Sequence, residues 1–286
     1  MATPLGNLRD ITLRALDVLA SVAAVAAEDT RRTRQLLSHY QISARLIALH
    51  EHNEGRAAQE LIALIGDGNS VAYVTDAGTP GISDPGALLV SRVRAADLRV
   101  IPIPGPSAVT AALSVAGMSA QQFLFCGYLS PKTVHRREEL RALSQLPYTL
   151  VFYEAPHRLS SAIDDMEHCL GSGRVVVIAR EISKLFETFH RCRLGEARAW
   201  LEADPNRTRG EFVLIVERAS GGDVDALEVS QRALEVLLRE LPLKQAVDLA
   251  AAITGAHRKA MYKRALELTA RADRTAQPGA TQGKTE

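Results

Sequence analysis

The 286-residue chain is 47% apolar and 23% charged and carries a formal net charge of +1. That composition supports a large core and excludes wholesale disorder, and the near-neutral charge means that an anionic partner has to be met by a local patch. No apolar stretch approaches the roughly 20 residues that span a bilayer, and the N-terminus lacks the basic start and apolar run of a signal peptide. Cys126, Cys169 and Cys192 are too few and too scattered for a disulfide framework or a zinc site. A soluble cytoplasmic protein, with no metal and no membrane association, is expected.

The chain opens on TPLGN (Thr3–Asn7), a glycine-containing loop of the kind that follows a strand, yet only Met1 and Ala2 precede it. The expectation is that the genomic start lies upstream and that a first strand is missing. Leu8–Ala20 spaces its apolar residues as an amphipathic helix. Val22–Glu28 and Arg45–His50 read as short buried strands and Glu54–Ile65 as a helix. Val71–Thr75 and Arg99–Pro104 read as strands, with the helix Ala87–Ala95 between them. This alternation predicts βα units and a mainly parallel sheet. From Phe123 onward FLFCGYL, TLVFYEA, RVVVIARE, ETFHRCRL and EFVLIVE read as strands, separated by helical Pro131–Gln145, His157–Leu170 and Glu196–Ala203. Some of these links are short, so a mixed sheet is expected, with Ala116–Ala120 as the hinge between the halves. After Ser220–Asp225 the pattern turns all-helical: Ser230–Arg239, Leu243–Ile253 and His257–Ala270, with a tight turn at Thr254–Gly255, the outline of a helix-turn-helix unit or of any helical hairpin. The expected architecture is two α/β domains, 1–117 with a parallel sheet and 118–222 with a mixed one, then a helical module over 228–271 and a disordered polar tail over 272–286.

VTDAGTPGISDPG (Val74–Gly86) places three glycines, two prolines and two aspartates after a strand. It sits at the carboxyl end of that strand, where open α/β sheets bind ligands. Gly78 and Gly81 let backbone approach a ligand closely, although a long structural loop has the same composition. Asp84 reads as a cap or turn residue ahead of the helix at Ala87. PIPGPSAVTAAL (Pro102–Leu113) repeats the logic, with Ser107 at a helix start that is either a seat for a polar group or an ordinary cap. Neither G-x-G-x-x-G nor G-x-x-x-x-G-K-[ST] occurs. AEDTRRT (Ala27–Thr33), HEHNE (His50–Glu54), YEAPHR (Tyr153–Arg158) and ARE (Ala179–Glu181) put further polar groups at strand ends. Each is ambiguous alone; their shared placement points to one cleft between the halves. His50 and His52, two residues apart and without a carboxylate partner of ligand geometry, read as hydrogen-bonding loop residues. Basic residues cluster twice: Lys132, His135, Arg136, Arg137 and Arg141 around one helix start, and Arg258, Lys259, Lys263, Arg264, Arg271 and Arg274 on the last helix, opposed there by Glu267 and Asp273. The second cluster suffices for phosphate contacts and equally describes a solvated helix face.

In this order AEDTRRTRQLL, HEHNE, VTDAGTPGISDPG, PGPSAVTAALSVAG, FYEAPHRL, AREISKLFE and GEFVLIVE resemble the ribosomal RNA small-subunit methyltransferase I family, a branch of the tetrapyrrole-methylase (class III) superfamily. The resemblance runs from Thr3 to about Leu268. LPLKQAVDLAAAITGAHRKAMYKRAL (Leu241–Leu266) is similar to a C-terminal helical module that the tetrapyrrole enzymes generally lack. The resemblance implies S-adenosylmethionine folded into the cleft between two α/β domains, a homodimer, and 2′-O-methylation of a cytidine in the decoding centre of 16S rRNA in the 30S subunit. By motif it implies cofactor contacts from Thr3, Pro4, Gly6 and Asn7, and from Asp76, Ala77, Gly78, Thr79 and Pro80. Pro104, Gly105, Pro106 and Ser107 would add a third loop, and Tyr153, Glu154, Ala155 and Glu211 would close over from the second domain.

A ribose 2′-hydroxyl is a poor acid, so a base or polarising contact should assist. Glu28, Asp29, His52, Glu54, Glu181 and Lys184 are the candidates, with Arg31 as a phosphate or ribose anchor. RNA contacts are expected from Arg136 and Arg137 and, in the C-terminal module, from Lys244, Arg258, Lys259, Lys263 and Arg264. Two other readings stay open. One is a uroporphyrinogen or precorrin methylase, against which the C-terminal module and the AEDTR block count. The other is a non-catalytic RNA-binding assembly protein with a vestigial cleft.

Overall fold

The computed structural model describes residues 1–50, 52–118, 121–219 and 224–275, with side chains over 230–269 in the last stretch. Residues 119–120 of the expected hinge Ala116–Ala120, residues 220–223 of the stretch Ser220–Asp225, the tail beyond 275 and the side chains of Arg271, Asp273 and Arg274 lie outside the described residues. The chain divides into two compact units, Met1–Arg218 and Ala219–Glu286.

The first unit begins with a 3-10 turn at Leu8–Asp10 and helix α1 (Leu13–Ser21). The single helix expected over Leu8–Ala20 is split because Thr12 starts a new one, its Oγ1 accepting from Ala15 N at 3.2 Å. Strand β1 (Ala24–Ala27), helix α2 (Thr30–His39), strand β2 (Leu46–Ala48), helix α3 (Glu54–Gly66), strand β3 (Val71–Val74) and helix α4 (Ala87–Ala95) follow. The three strands form a parallel sheet in the order β2-β1-β3. All four residues of β1 are buried, as its unbroken apolar run requires of a central parallel strand. Val25 and Ala27 face a core with Leu19, Leu36 and Leu37 from α1 and α2. Ala24 and Ala26 face another with Ala58, Leu61, Leu89 and Val93 from α3 and α4.

The strand expected at Arg99–Pro104 does not form. A strand needs a continuous ladder, and here the neighbouring flank of β3 holds only the first three residues. Met1 N donates to Tyr73 O at 2.9 Å, Ala2 N to Ile103 O at 3.1 Å, and Thr3 exchanges two backbone bonds with Gly78 at 2.9 and 3.0 Å.

Helix α5 (Ala108–Val115) leads into strand β4 (Phe123–Tyr128), helix α6 (Thr133–Leu143), strand β5 (Thr149–Glu154), helix α7 (Leu159–Leu170), strands β6 (Val175–Arg180) and β7 (Thr188–Arg193), helix α8 (Leu194–Glu202) and strand β8 (Phe212–Val216). The sheet order is β4-β5-β8-β6-β7, parallel only between β4 and β5, so it is mixed as its short links imply. Leu150, Phe152, Ile178 and Leu214 cover one face together with α6, α7 and α8. The other face, through Val151, Val177, Val213 and Ile215, packs on Val109, Ala112 and Leu113 of α5. That helix comes from the first half of the chain, so the two α/β halves share a core and form one unit.

The second unit holds α9 (Val224–Glu240), α10 (Leu243–Thr254) and α11 (Arg258–Thr275). They pack around Leu234, Ala246, Val247, Ala250, Met261 and Ala265. Gly255, at φ +70, ends α10 in the left-handed conformation that a side chain disfavours.

Candidate active site

The strand ends on one side of the two sheets enclose a cavity of about 300 Å³ within the first unit, at the small end of pockets that seat a small molecule. Parallel β1 and β3 deliver their carboxyl ends here, bringing Glu28 and Asp76. The two loops brace each other: Asp29 N donates to Asp76 Oδ1 at 3.1 Å and Asp76 N to Glu28 Oε2 at 3.4 Å. From the second sheet β5 brings Tyr153, Glu154 and Ala155, and antiparallel β8, with Phe212 opposite Glu154, brings Glu211 to the same edge. Ala77, Gly78, Thr79 and Ser107 complete the wall, so nine of the residues implied by motif line one cavity. Gly78 sits at φ +75 and exchanges its backbone bonds with Thr3, which binds the TPLGN loop to the DAGTP loop. Thr79 Oγ1 donates to Pro106 O at 3.1 Å and ties in the third loop.

The remaining implied contacts fall elsewhere. Thr3, Pro4 and Gly6 line an adjoining cavity of about 290 Å³. Asn7 caps the 3-10 turn and its N–H reaches Ser183 Oγ at 3.2 Å. Pro80, Pro104, Gly105 and Pro106 shape the loops without lining either cavity. A side chain at Gly105 would stand 3.0 Å from the Ala2 methyl, so that glycine serves loop packing.

Among the described residues the cavity lining is acidic, with Glu28, Asp76, Asp84, Glu154 and Glu211 beside Arg32; Arg158 pairs with Glu154 and Lys184 with Glu211. Burial raises the Glu28 pKa, opposed by the hydrogen bond from the Asp76 backbone N–H and reinforced by the Asp76 charge. Burial together with the charges of Glu28 and Asp76 pushes Asp84 up to about 6. The Thr75 hydroxyl beside it opposes part of that rise. Burial pushes the Tyr153 phenol up to about 12. Glu154 is 2% exposed. Its Oε1 accepts from Ala155 N and Arg158 Nε at 2.8 Å and lies 2.6 Å from Arg158 Nη2. Its Oε2 is buried with no hydrogen-bond partner among the described residues, an acceptor left open.

Among the catalytic candidates the structure brings only Glu28 to this cavity. Asp29 caps α2 and holds the exposed Arg31 in a two-pronged pair at 3.1 and 2.8 Å, which brings its carboxyl down to about 2; the neighbouring Arg32 lines the cavity and Arg31 does not. His52 lies in the turn after β2, its ring 5.9 Å from His50. Glu54 is buried and accepts from Gly86 N and Leu89 N at 3.1 and 2.9 Å, capping α4 from another helix. Glu181 bonds Glu211 N and Lys184 Nζ, both at 2.9 Å, within the second sheet's loops, and those contacts lower its pKa against the opposing effect of burial.

Arg136, expected on an RNA surface, is interior. Its guanidinium meets Asp165 at 2.6 and 2.5 Å with both side chains 3% exposed, and Arg137 takes the other carboxylate oxygen at 2.6 Å. In the second unit Arg258 pairs with Asp248 at 2.5 Å and Arg264 with Glu267 at 2.7 Å, while Lys244, Lys259 and Lys263 stay exposed. Among the described residues no group of histidine, cysteine and carboxylate side chains is placed to hold a metal, and no helix is long and apolar enough to cross a membrane. Sequence reasoning missed Asp84 and Arg32 as cavity residues.

Comparison with known proteins agrees with this geometry. Residues 2–198 match the family model of tetrapyrrole (corrin/porphyrin) methylases, and residues 223–269 match the RsmI C-terminal HTH domain. Curated relatives named ribosomal RNA small subunit methyltransferase I include one from Escherichia coli O157:H7, 49% identical over 93% of each chain. Another, from Xylella fastidiosa, is 47% identical over 92% of this chain and 96% of its own. Solved structures of the methyltransferase CobJ (18% identical, TM-score 0.57, 75% of this chain and 91% of that one) and of the cobalt precorrin-4 methyltransferase CbiF (15%, TM-score 0.58, 76% and 92%) share the fold.

Proposed function

The chain belongs to the tetrapyrrole methylases and, within them, to the ribosomal RNA small subunit methyltransferase I family, and from that premise we propose that it methylates the 2′-hydroxyl of a cytidine in the decoding centre of 16S rRNA with S-adenosylmethionine as donor. The observation that carries the donor assignment is the lining of the first cavity: the carboxylates Glu28, Asp76, Asp84, Glu154 and Glu211 outnumber their cation partners Arg32, Arg158 and Lys184, and one buried Glu154 oxygen is unpartnered. Such a lining repels a phosphodiester and attracts a cation. When bound, S-adenosylmethionine supplies a methyl group on a positively charged sulfur together with an ammonium group.

Asp76, Gly78, Thr79, Ser107 and Glu154 would hold this donor, the backbone at Gly78 allowing close approach. Positioning contributes most of the acceleration in such a transfer, because a bound hydroxyl next to a bound methyl no longer has to find it. The hydroxyl proton has to leave as the new O–C bond forms. Glu28 and Asp84, which burial keeps more basic than ordinary carboxylates, support a role as its acceptors. The acidic cavity gives no grip on RNA, so the exposed Lys244, Lys259 and Lys263 of the helical unit support that unit as the rRNA holder. A homodimer and the assembled 30S subunit as substrate complete the proposal.

Calorimetry separates this reading from its rivals. Micromolar or tighter S-adenosylmethionine binding is expected, and its absence would leave a vestigial cleft. Methylation of uroporphyrinogen or a precorrin by the purified protein would favour a tetrapyrrole enzyme instead.

A further inference from the structure

Beside the first cavity lies the second, and the two share the lining residues Leu5, Arg32 and Asp76. A group transfer between two ligands requires two seats with a common wall. The proposed donor occupies only one.

The second seat differs chemically. Among the described residues Asp76 is its one carboxylate and Arg32 its one cation, with Thr3, Thr33, Gln35 and Thr75 supplying hydroxyl and amide groups. Neutral donors and acceptors around one guanidinium suit a sugar and base attached to a phosphate. At about 290 Å³ the space admits one extruded nucleotide and no helix.

Arg32 is also the available arginine of its pair. Arg31 is bound by two prongs to Asp29, whereas Arg32 meets Asp76 through one contact at 3.3 Å and is 62% exposed. Such a pair is loosely held and exchanges readily for a phosphate, which a guanidinium grips with two parallel hydrogen bonds.

We infer that the second cavity is the seat of the acceptor nucleotide, that Arg32 holds the phosphate next to the reacting ribose, and that the 2′-hydroxyl passes between Arg32 and Asp76 into the first cavity. The inference rests on the methyltransferase reading of the first cavity, and the experiment keeps the two apart.

Wild-type protein, Arg32→Ala, Arg32→Lys and Gln35→Trp are compared in two measurements: S-adenosylmethionine binding by calorimetry, and methyl transfer to 30S subunits across a range of salt. Gln35 lines only the second cavity, so the tryptophan fills it and leaves the first alone. The expected result is cofactor affinity within about twofold for Gln35→Trp, which leaves the donor cavity alone, with KM for 30S subunits raised about tenfold by Arg32→Ala and by Gln35→Trp. Arg32→Lys recovers part of the loss, because a point charge still meets a phosphate, and Arg32→Ala lowers the salt dependence of binding by about one phosphate contact.

Cofactor affinity falling in step with the KM effect in Gln35→Trp would put the second cavity in the donor site and overturn the inference. An unchanged KM, or a lysine variant no better than alanine, would overturn it as well. Failure of the wild-type protein itself to bind S-adenosylmethionine would remove the methyltransferase reading and this inference with it, and that outcome is visible before any variant is made.

Discussion

Asp84→Asn should make the protein more stable and less active. In the folded chain burial and the charges of Glu28 and Asp76 lift the Asp84 pKa from 3.8 to about 6. At about 1.4 kcal/mol per tenfold change in proton affinity, keeping this carboxyl ionised near pH 8 costs about 3 kcal/mol in full. The carboxyl is half exposed, so solvent screening reduces that to about 1.5 kcal/mol. The sign follows from a raised acid pKa: stability is lost as pH rises from about 4 to about 6, and the loss persists above. Asparagine keeps the shape and removes the charge, so near pH 8 it returns about 1.5 kcal/mol, an increase of about 3–6 °C in Tm for a unit of this size. Near pH 3.5 variant and wild type should unfold alike. Methyl transfer should fall by about a hundredfold or more for a lost proton acceptor. Urea unfolding at several pH values and single-turnover transfer measure the two halves. A variant that is destabilised at every pH with normal transfer would show that Asp84 is the turn residue its sequence context resembles, and the reasoning would fail.

Arg136→Met should lower stability by about 3 kcal/mol, roughly 6–12 °C in Tm, by leaving Asp165 buried with only Arg137; a loss confined to RNA affinity would contradict the interior placement. Lys259→Ala with Lys263→Ala should leave S-adenosylmethionine affinity unchanged in calorimetry, weaken 30S binding and reduce its salt dependence by about two phosphate contacts. Gly86→Ala should cost at least about 2 kcal/mol in chemical unfolding, because Gly86 has φ +121 and a Cβ would stand 2.4 Å from the Tyr73 ring.

How much of this was legible in the sequence depended on whether the cause was local. The DAGTP loop could be read because glycines and prolines after an apolar run leave few structural options, and it lines the cavity as its position demanded. Asp84 was misread because Asp-Pro-Gly ahead of a helix is also a capping signature. The cap of α4 comes instead from Glu54, 32 residues before Gly86, which frees Asp84 to face the cavity. No pattern in one chain announces that exchange. Arg136 was placed outside on charge alone; its spacing from Leu140 put it on the inward face of α6, a signal that charge masked. Asp29 and Arg31 followed the same course: two residues apart, they satisfy each other, and Arg32 is left for the cavity. The fold was legible through apolar alternation, and the cavity's membership was decided by pairings between distant segments.

The measurement that bears most directly on the central claim is methyl-group mapping on 30S subunits incubated with the protein and labelled S-adenosylmethionine. One labelled nucleotide, a cytidine of the decoding centre carrying the methyl on its ribose 2′-oxygen, is the expected result. Label on a base, or no label on 16S rRNA from a protein that binds the donor, would contradict it.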